Sequence, residues 1–438
     1  MTDHTAALSA VARWDRPFVA TDGGEATLLL TLTAPVASDA AERLPVDIAF
    51  VLDRSGSMGG QSIQLAKQAI LTGAARLTDR DRLSLVVYDH EVETLMPLVR
   101  AGAGTQQALR AILKMVDARG STDLSGGWLR GCANLADAMP EGDDDRLHRV
   151  VLLTDGHANQ GITDPEELWQ HAGELRRRGV MTTTIGLGTG YDGHLLSEMA
   201  RAGGGNHAFI EHPQQMTRFF AEELDELVTI TARNIDLAIT VPDGATFDLY
   251  NAYPFETGGT TTHIALGELP SGAEVEIVGG VALPPAPAGS VYPCAVHLTW
   301  KDTAGTTHKD EIEVAPVVAA PWVEVEAAPA DTSVAEAAAL QGTARLQRHA
   351  AVSAQRGDRV AFRKARQQMD HLLQAAPMTA RIMEERQEVV RYSQMAEDIH
   401  DPSVALGLAD RGYARGRRAN RADWRNREDD TSGGDSSQ

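Results

Sequence analysis

From Val46 to about Leu227 the apolar positions switch repeatedly between the spacing of a buried strand and that of a helix. Ile48, Phe50 and Val51 lie in a near-continuous apolar run, which predicts a first strand covered on both faces. Ile63, Ala66, Ile70, Ala74 and Leu77 then recur three and four apart, so a helix follows, entered through the tight turn that Gly59 and Gly60 permit. Residues 83–88 predict a second strand and 92–97 an antiparallel edge, with helices around 106–116 and 126–139. Another apolar strand covers 149–154, a helix opens at Asp164-Pro165, where Asp caps and Pro suits the first turn, and 180–187 continue the sheet. Strands and helices in alternation predict a doubly wound α/β sheet.

Outside that segment the period is two. Leu28, Leu30 and Leu32, then Ile235, Leu237, Ile239 and Val241, then Cys294, Val296, Leu298 and Trp300, alternate with other residues as half-buried antiparallel strands do. The runs after Leu227, with 275–277, 312–314 and 323–325, predict a β-sandwich of at most seven strands. The amino-terminal strands are too few to fold alone, so residues 1–44 are expected to pair with 229–330, and the α/β domain, 45–228, to be inserted between strands of the sandwich. Residues 331–400 read as a small α-helical hairpin or bundle, in segments 333–356, 358–374 and 378–397 broken at Gly357-Asp358 and Pro377. Residues 401–438 read as an arginine-rich stretch running into a disordered Ser/Gly/Asp tail.

Composition narrows the partners. A net charge of −21 over 438 residues argues against binding nucleic acid or an anionic membrane with the whole surface. The exception is 411–427, where arginines interleave with Tyr413 and Trp424. Such a stretch can stack on single-stranded nucleic acid, but in an acidic chain it reads first as a solvated tail or an arm docked on the protein or a partner. Cys132 and Cys294 fall in a predicted helix and a predicted strand of separate domains, so no disulfide framework is expected. The first residues lack a basic stretch followed by an apolar core, and no segment reaches the roughly 20 apolar residues of a membrane helix. A cytoplasmic protein is the simplest expectation.

The candidate chemistry sits at the ends of the predicted strands. Asp53-Arg54-Ser55-Gly56-Ser57 follows the first apolar run and places three oxygen side chains at alternate positions. Gly120-Ser121-Thr122-Asp123 offers a hydroxyl, and Val150 to Asp155 offers a carboxylate where another strand ends. Ligands of open α/β sheets bind beyond the carboxyl ends of the strands, so these segments are expected to converge. Alone, Asp-x-Ser-x-Ser also reads as a polar turn with Ser57 capping a helix.

Taken together, the three segments resemble the metal-ion-dependent adhesion site of the von Willebrand factor A (VWA) domain, with Asp53, Ser55, Ser57, Thr122 and Asp155 at its five ligand positions. The glycine-rich turn Gly203-Gly204-Gly205 before His207 is similar to the family's last turn into an edge strand, and His207 is read as packing rather than as a ligand. The resemblance implies a Mg²⁺ (or Mn²⁺) ion held by hard oxygens, in line with the preference of Mg²⁺ for near-octahedral oxygen sites. It also implies an open position that a Glu or Asp from an unidentified partner protein fills. The order of amino-terminal strands, VWA insert, sandwich and helical end looks like that of bacterial VWA proteins.

These residues point to a metal-dependent protein-binding module rather than an enzyme. The alternative is a scaffold or adaptor for an ATPase, kinase or phosphatase system, with a metal-dependent hydrolase as a third class. Neither Ser55 nor Ser57 lies in a Gly-x-Ser-x-Gly elbow, and no P-loop, zinc pattern or dinucleotide turn occurs. His157 is the nearest candidate base and reads as an exposed loop residue. No catalytic residue is assigned.

Overall fold

The computed structural model describes residues 7–37, 43–139, 146–155, 158–188, 191–210, 229–395 and 402–417, with positions 215, 219, 223, 226 and 227. The chain forms two compact units, one within Pro45–Val228 and one assembled from Met1–Leu44 and Thr229–Ala419. Three strands precede the first of these in sequence: β1 (Ser9–Trp14), β2 (Phe18–Ala20) and β3 (Gly24–Thr33).

The α/β unit runs β4 (Val46–Asp53), α1 (Gln61–Arg76), β5 (Arg82–Tyr88), β6 (Val92–Arg100), α2 (Ala103–Lys114) and α3 (Leu124–Ala136). It continues through β7 (Leu147–Thr154), α4 (Pro165–Arg177), β8 (Val180–Leu187), α5 (Gly193–Ala202) and β9 (Gly204–Ile210). The sheet order is β6-β5-β4-β7-β8-β9, all parallel except the edge strand β6, which runs antiparallel to β5. Every residue of β4, β7 and β8 is buried, which is why these strands lack polar alternation. Helix α3 lies close on this sheet because it is glycine-bearing: a Cβ at Gly127 would stand 2.3 Å from the Tyr88 ring, and one at Gly131 2.4 Å from Val51. Trp128 on the same helix is fully buried and donates its indole N–H to the Thr182 hydroxyl at 3.1 Å. Helix α4 begins as the sequence predicts, Asp164 accepting from the Glu166 amide with Pro165 in the first turn.

The second unit is mainly antiparallel. Its later strands are β10 (Ile230–Thr240), β11 (Thr246–Leu249), β12 (Phe255–Gly258), β13 (Thr261–Pro270), β14 (Glu274–Leu283), β15 (Val291–Tyr292), β16 (Ala295–Lys301), β17 (Thr307–Ile312) and β18 (Val317–Ala320). They build a four-stranded sheet β1-β3-β14-β11, a five-stranded sheet β12-β13-β10-β16-β17 and a small sheet β15-β18-β2. Leu30 on β3 pairs with Ile277 on β14, and one apolar core gathers Leu28, Leu30 and Leu32 with Ile235, Leu237, Ile239, Val296 and Leu298.

One expected strand needs correction. Residues 323–325, expected as a strand, belong to the short helix α6 (Trp322–Ala327), and the strand is β18 just before it. The alternation Val-Glu-Val-Glu is too short to tell a strand from a helical turn, and only Val325 is buried while Val323 is 76% exposed. Nine strands follow Thr229 among the described residues, seven of them in the two larger sheets.

The helical end comprises α7 (Thr332–Gln355), α8 (Arg359–Ala375), α9 (Ala380–Met395) and α10 (Pro402–Arg417), with Asp331 and Asp358 capping α7 and α8. Helix α10 corrects the reading of 401–438 as tail. Glu385 on α9, fully buried, meets Arg415 at 2.9 Å and Arg411 at 3.4 Å, and Arg411 also meets Glu388 at 2.8 Å. Tyr413 is buried, so the aromatic and the arginines of this part are spent on packing and ion pairs inside the unit. Residues 418–438, Trp424 included, lie outside the described residues.

Candidate metal centre

In the sheet order, β4 is followed in sequence by β5 on one side and β7 lies on the other, so the chain reverses its winding direction between β4 and β7. Such a switch point opens a crevice at the carboxyl ends of the strands. Asp53 closes β4, Tyr88 closes β5 in register with it, and Thr154 closes β7 just before Asp155.

Four of the five expected ligand residues are joined by direct contacts. Asp53 Oδ1 accepts the Ser55 amide at 2.7 Å, and its Oδ2 accepts the Thr154 hydroxyl at 2.6 Å. The Ser55 and Ser57 hydroxyls are 3.1 Å apart, and Ser57 Oγ donates to Asp155 Oδ1 at 2.8 Å. Ser57 sits in a single 3₁₀ turn, Gly56–Met58, while α1 starts beyond Gly60, whose φ of +82° turns the chain. Ser57 is thus not the helix cap of the alternative reading.

Thr122 joins the others through its backbone. The Gly56 amide donates to the Gly120 carbonyl at 3.1 Å, and the Arg119 amide donates to Arg54 at 2.7 Å, tying the second loop to the first. The Thr122 carbonyl accepts from Asn159 at 3.2 Å and Gln160 at 3.1 Å, tying it to the third. Gly120 turns with φ +71°, a conformation that favours glycine.

The electrostatics are those of an acidic cleft. Burial pushes the Asp53 carboxyl above the usual carboxylate range, although hydrogen bonds from Thr154 and Ser55 oppose it. Burial likewise raises Asp155 to about 6, with the Asp53 charge adding to the shift. Among the described residues neither carboxylate has an ion pair with Arg or Lys. Arg54, next to Asp53 in sequence, turns instead to Asp89 at 2.9 Å and to Glu93. The four residues in contact offer two carboxylates and two hydroxyls, hard oxygens of the kind that suit a divalent cation such as Mg²⁺ rather than a soft metal.

Sequence reading missed the braces around this cleft. Asp89, fully buried, receives Arg54 at 2.9 Å and Arg119 at 2.7 Å, and its carbonyl accepts the Asp123 amide at 2.7 Å. Its position directly after the apolar strand 83–88 was the available signal. Asp89, His90 and Glu91 also cluster closely enough to suggest a second ion site, but Asp89 is already neutralised by the two arginines. His207 is buried, 2.9 Å from the Thr184 hydroxyl and edge-on to Tyr191, in keeping with a packing role. His157 lies outside the described residues.

Residues 47–222 match the family model of the von Willebrand factor type A domain, and this segment of the chain is such a domain. An uncharacterized protein of Synechocystis sp. is 29% identical over 209 residues, which cover 47% of this chain and 47% of that protein. Inter-alpha-trypsin inhibitor heavy chain H3 of Rattus norvegicus is 30% identical over 236 residues, 51% of this chain but 25% of its own length. The chain therefore spans about half or less of these relatives. Among solved structures, a von Willebrand factor type A protein from Catenulispora acidiphila superposes with a TM-score of 0.72 at 19% identity, covering 96% of this chain and 99% of that one. The ArnB paralog VWA2 from Sulfolobus acidocaldarius gives 0.61 at 16% identity, covering 94% and 99%. At these identities the two likenesses establish the fold alone.

Proposed function

We propose that this protein is a divalent-metal-dependent protein-binding module in which Asp53, Ser55, Ser57, Thr122 and Asp155 hold Mg²⁺ or Mn²⁺. The observation that carries the reading is the continuous run of oxygens from Asp53 through Ser55 and Ser57 to Asp155, containing two carboxylates and, among the described residues, no Arg or Lys partner. Burying two acids side by side is costly unless a cation is shared between them. A bound divalent ion supplies that charge and an electrophilic position for one further oxygen. With only two carboxylates in the set, an acidic side chain of a partner protein completes the charge balance. In the same reading the two larger antiparallel sheets are a β-sandwich into which the metal-binding domain is inserted.

Titration calorimetry with Mn²⁺ tests the site. The wild-type protein is expected to bind one ion and the Asp53→Ala variant none, with circular dichroism unchanged. Equal affinity in the two proteins would refute the ligand set.

A further inference from the structure

The amino ends of the parallel strands, opposite the metal rim, enclose a second feature. A cavity of about 450 Å³ is lined by Pro45, Asp79, Arg80, Arg82, Arg100, Ala138 and Arg146. Four arginines around one cavity are conspicuous in a chain of net charge −21. Two of them, Arg82 and Arg100, stand directly opposite each other on the antiparallel pair β5 and β6. Arg82 is paired with Asp47, so of these two it is Arg100 that leaves positive charge on the cavity wall.

The donors are already aimed. Fully buried Asp47 receives Arg82 Nε at 2.9 Å, and Arg146 through Nε at 2.9 Å and Nη2 at 2.6 Å. Arg146 Nη2 also donates to the Arg80 carbonyl at 3.0 Å. One carboxylate thus fixes two guanidiniums. Arg146 Nη1 and the whole Arg100 guanidinium have no hydrogen-bond or ion-pair partner among the described residues, so both are available to a ligand. Fixed planar donors of this kind favour oxyanions, phosphate above all.

We propose that this cavity binds a small phosphate-bearing anion of more than one negative charge, with Arg100 and Arg146 as its principal donors. The volume admits a diphosphate, and four arginines line it.

The test is calorimetry in EDTA, which keeps phosphate–metal complexes at the opposite rim out of the readout. The probes are inorganic pyrophosphate and ADP. Saturable one-to-one binding is expected, weakening as salt is raised. Arg100→Glu should weaken it about tenfold or more, while Arg110→Glu, an equal charge change on the outer face of α2, should leave it unchanged. Equal binding of the two probes identifies the diphosphate as what is recognised; tighter binding of ADP identifies a nucleotide. The proposal is overturned if neither probe binds, or if Arg100→Glu binds as well as wild type. It is also overturned if binding appears only after Glu141, Asp143, Asp144 and Asp145, which precede Arg146 in sequence, are changed to amides, because the chain's own acids would then be the occupant.

Discussion

The backbone amide of Arg119 donates to the carbonyl of Arg54 at 2.7 Å, so the loop carrying Thr122 is fastened to the loop carrying Ser55 and Ser57 before any ligand arrives. Both arginines also grip Asp89 with their side chains. Asp89→Ala would leave two guanidiniums facing one another where a carboxylate had separated them. Mn²⁺ affinity is expected to fall by about tenfold although no proposed ligand is altered, and the urea midpoint of the protein to drop. Unchanged affinity would show that the fastening does not position Thr122.

Partner capture should need both the ion and an acidic side chain. In a pull-down from the source cells, proteins retained in Mg²⁺ are expected to elute with EDTA and to be absent with Asp53→Ala or Thr122→Ala. Retention that is the same in all four conditions would move the interaction surface away from the strand ends.

The lower end of the α/β unit should be acid-labile through Asp47. Burial opposes ionisation of this carboxyl, but His148, Arg82 and Arg146 outweigh it and hold it well below the usual carboxylate range. A depressed folded pKa gives stability that is complete above the unfolded value of about 4 and is lost as pH falls below it. The urea midpoint of wild type is expected to drop between about pH 5 and pH 3. Asp47→Asn, weaker at pH 7 by about 3 kcal/mol, should show a shallower drop over the same range. Parallel curves would exclude Asp47 as the source.

Cys132 should be chemically silent in the folded state. It faces the sheet from α3 and burial pushes its thiol far above the ordinary range, so almost no thiolate forms. Iodoacetamide is expected to label Cys132 only at denaturant concentrations that unfold the α/β unit. Labelling in native buffer would place α3 in local exchange with an open form.

A fragment covering 45–228 should fold alone, because its sheet and covering helices are contiguous in sequence. A fragment covering 45–438 lacks β1 and β3 and leaves β14 unpaired along one edge, so it is expected to aggregate. Size-exclusion chromatography distinguishes these outcomes; a monomeric 45–438 fragment would remove β3 from its assigned importance.

The loops of Asp53 and Asp155 were legible in the sequence because each begins where an apolar run stops, whereas the loop of Thr122 lies between two helices, not at a strand end as expected. Asp89 and Arg119 were not legible, since a charged loop residue reads as solvated until its partner from another loop is known. Residues 411–417 misled for a related reason. Arg-Gly-Tyr-Ala-Arg-Gly-Arg has the composition of an exposed arm, and only the buried Glu385 on α9 makes it the inner face of a helix. Gly412 even helps, since a Cβ there would stand 2.8 Å from the Ala344 carbonyl of α7.

The pairing of Leu30 with Ile277 has a consequence for how the chain is made. When β3 leaves the ribosome its hydrogen-bonding partner β14 has not been translated, and the whole α/β unit emerges in between. That unit has every strand it needs by the time Ile210 appears, so it can collapse while synthesis continues. The first strands must meanwhile wait, apolar and half-paired, for a partner that arrives only after the α/β unit has taken shape. The domain then acts as a closed loop that holds the two halves of the later sheet near one another, lowering the entropy cost of bringing them together.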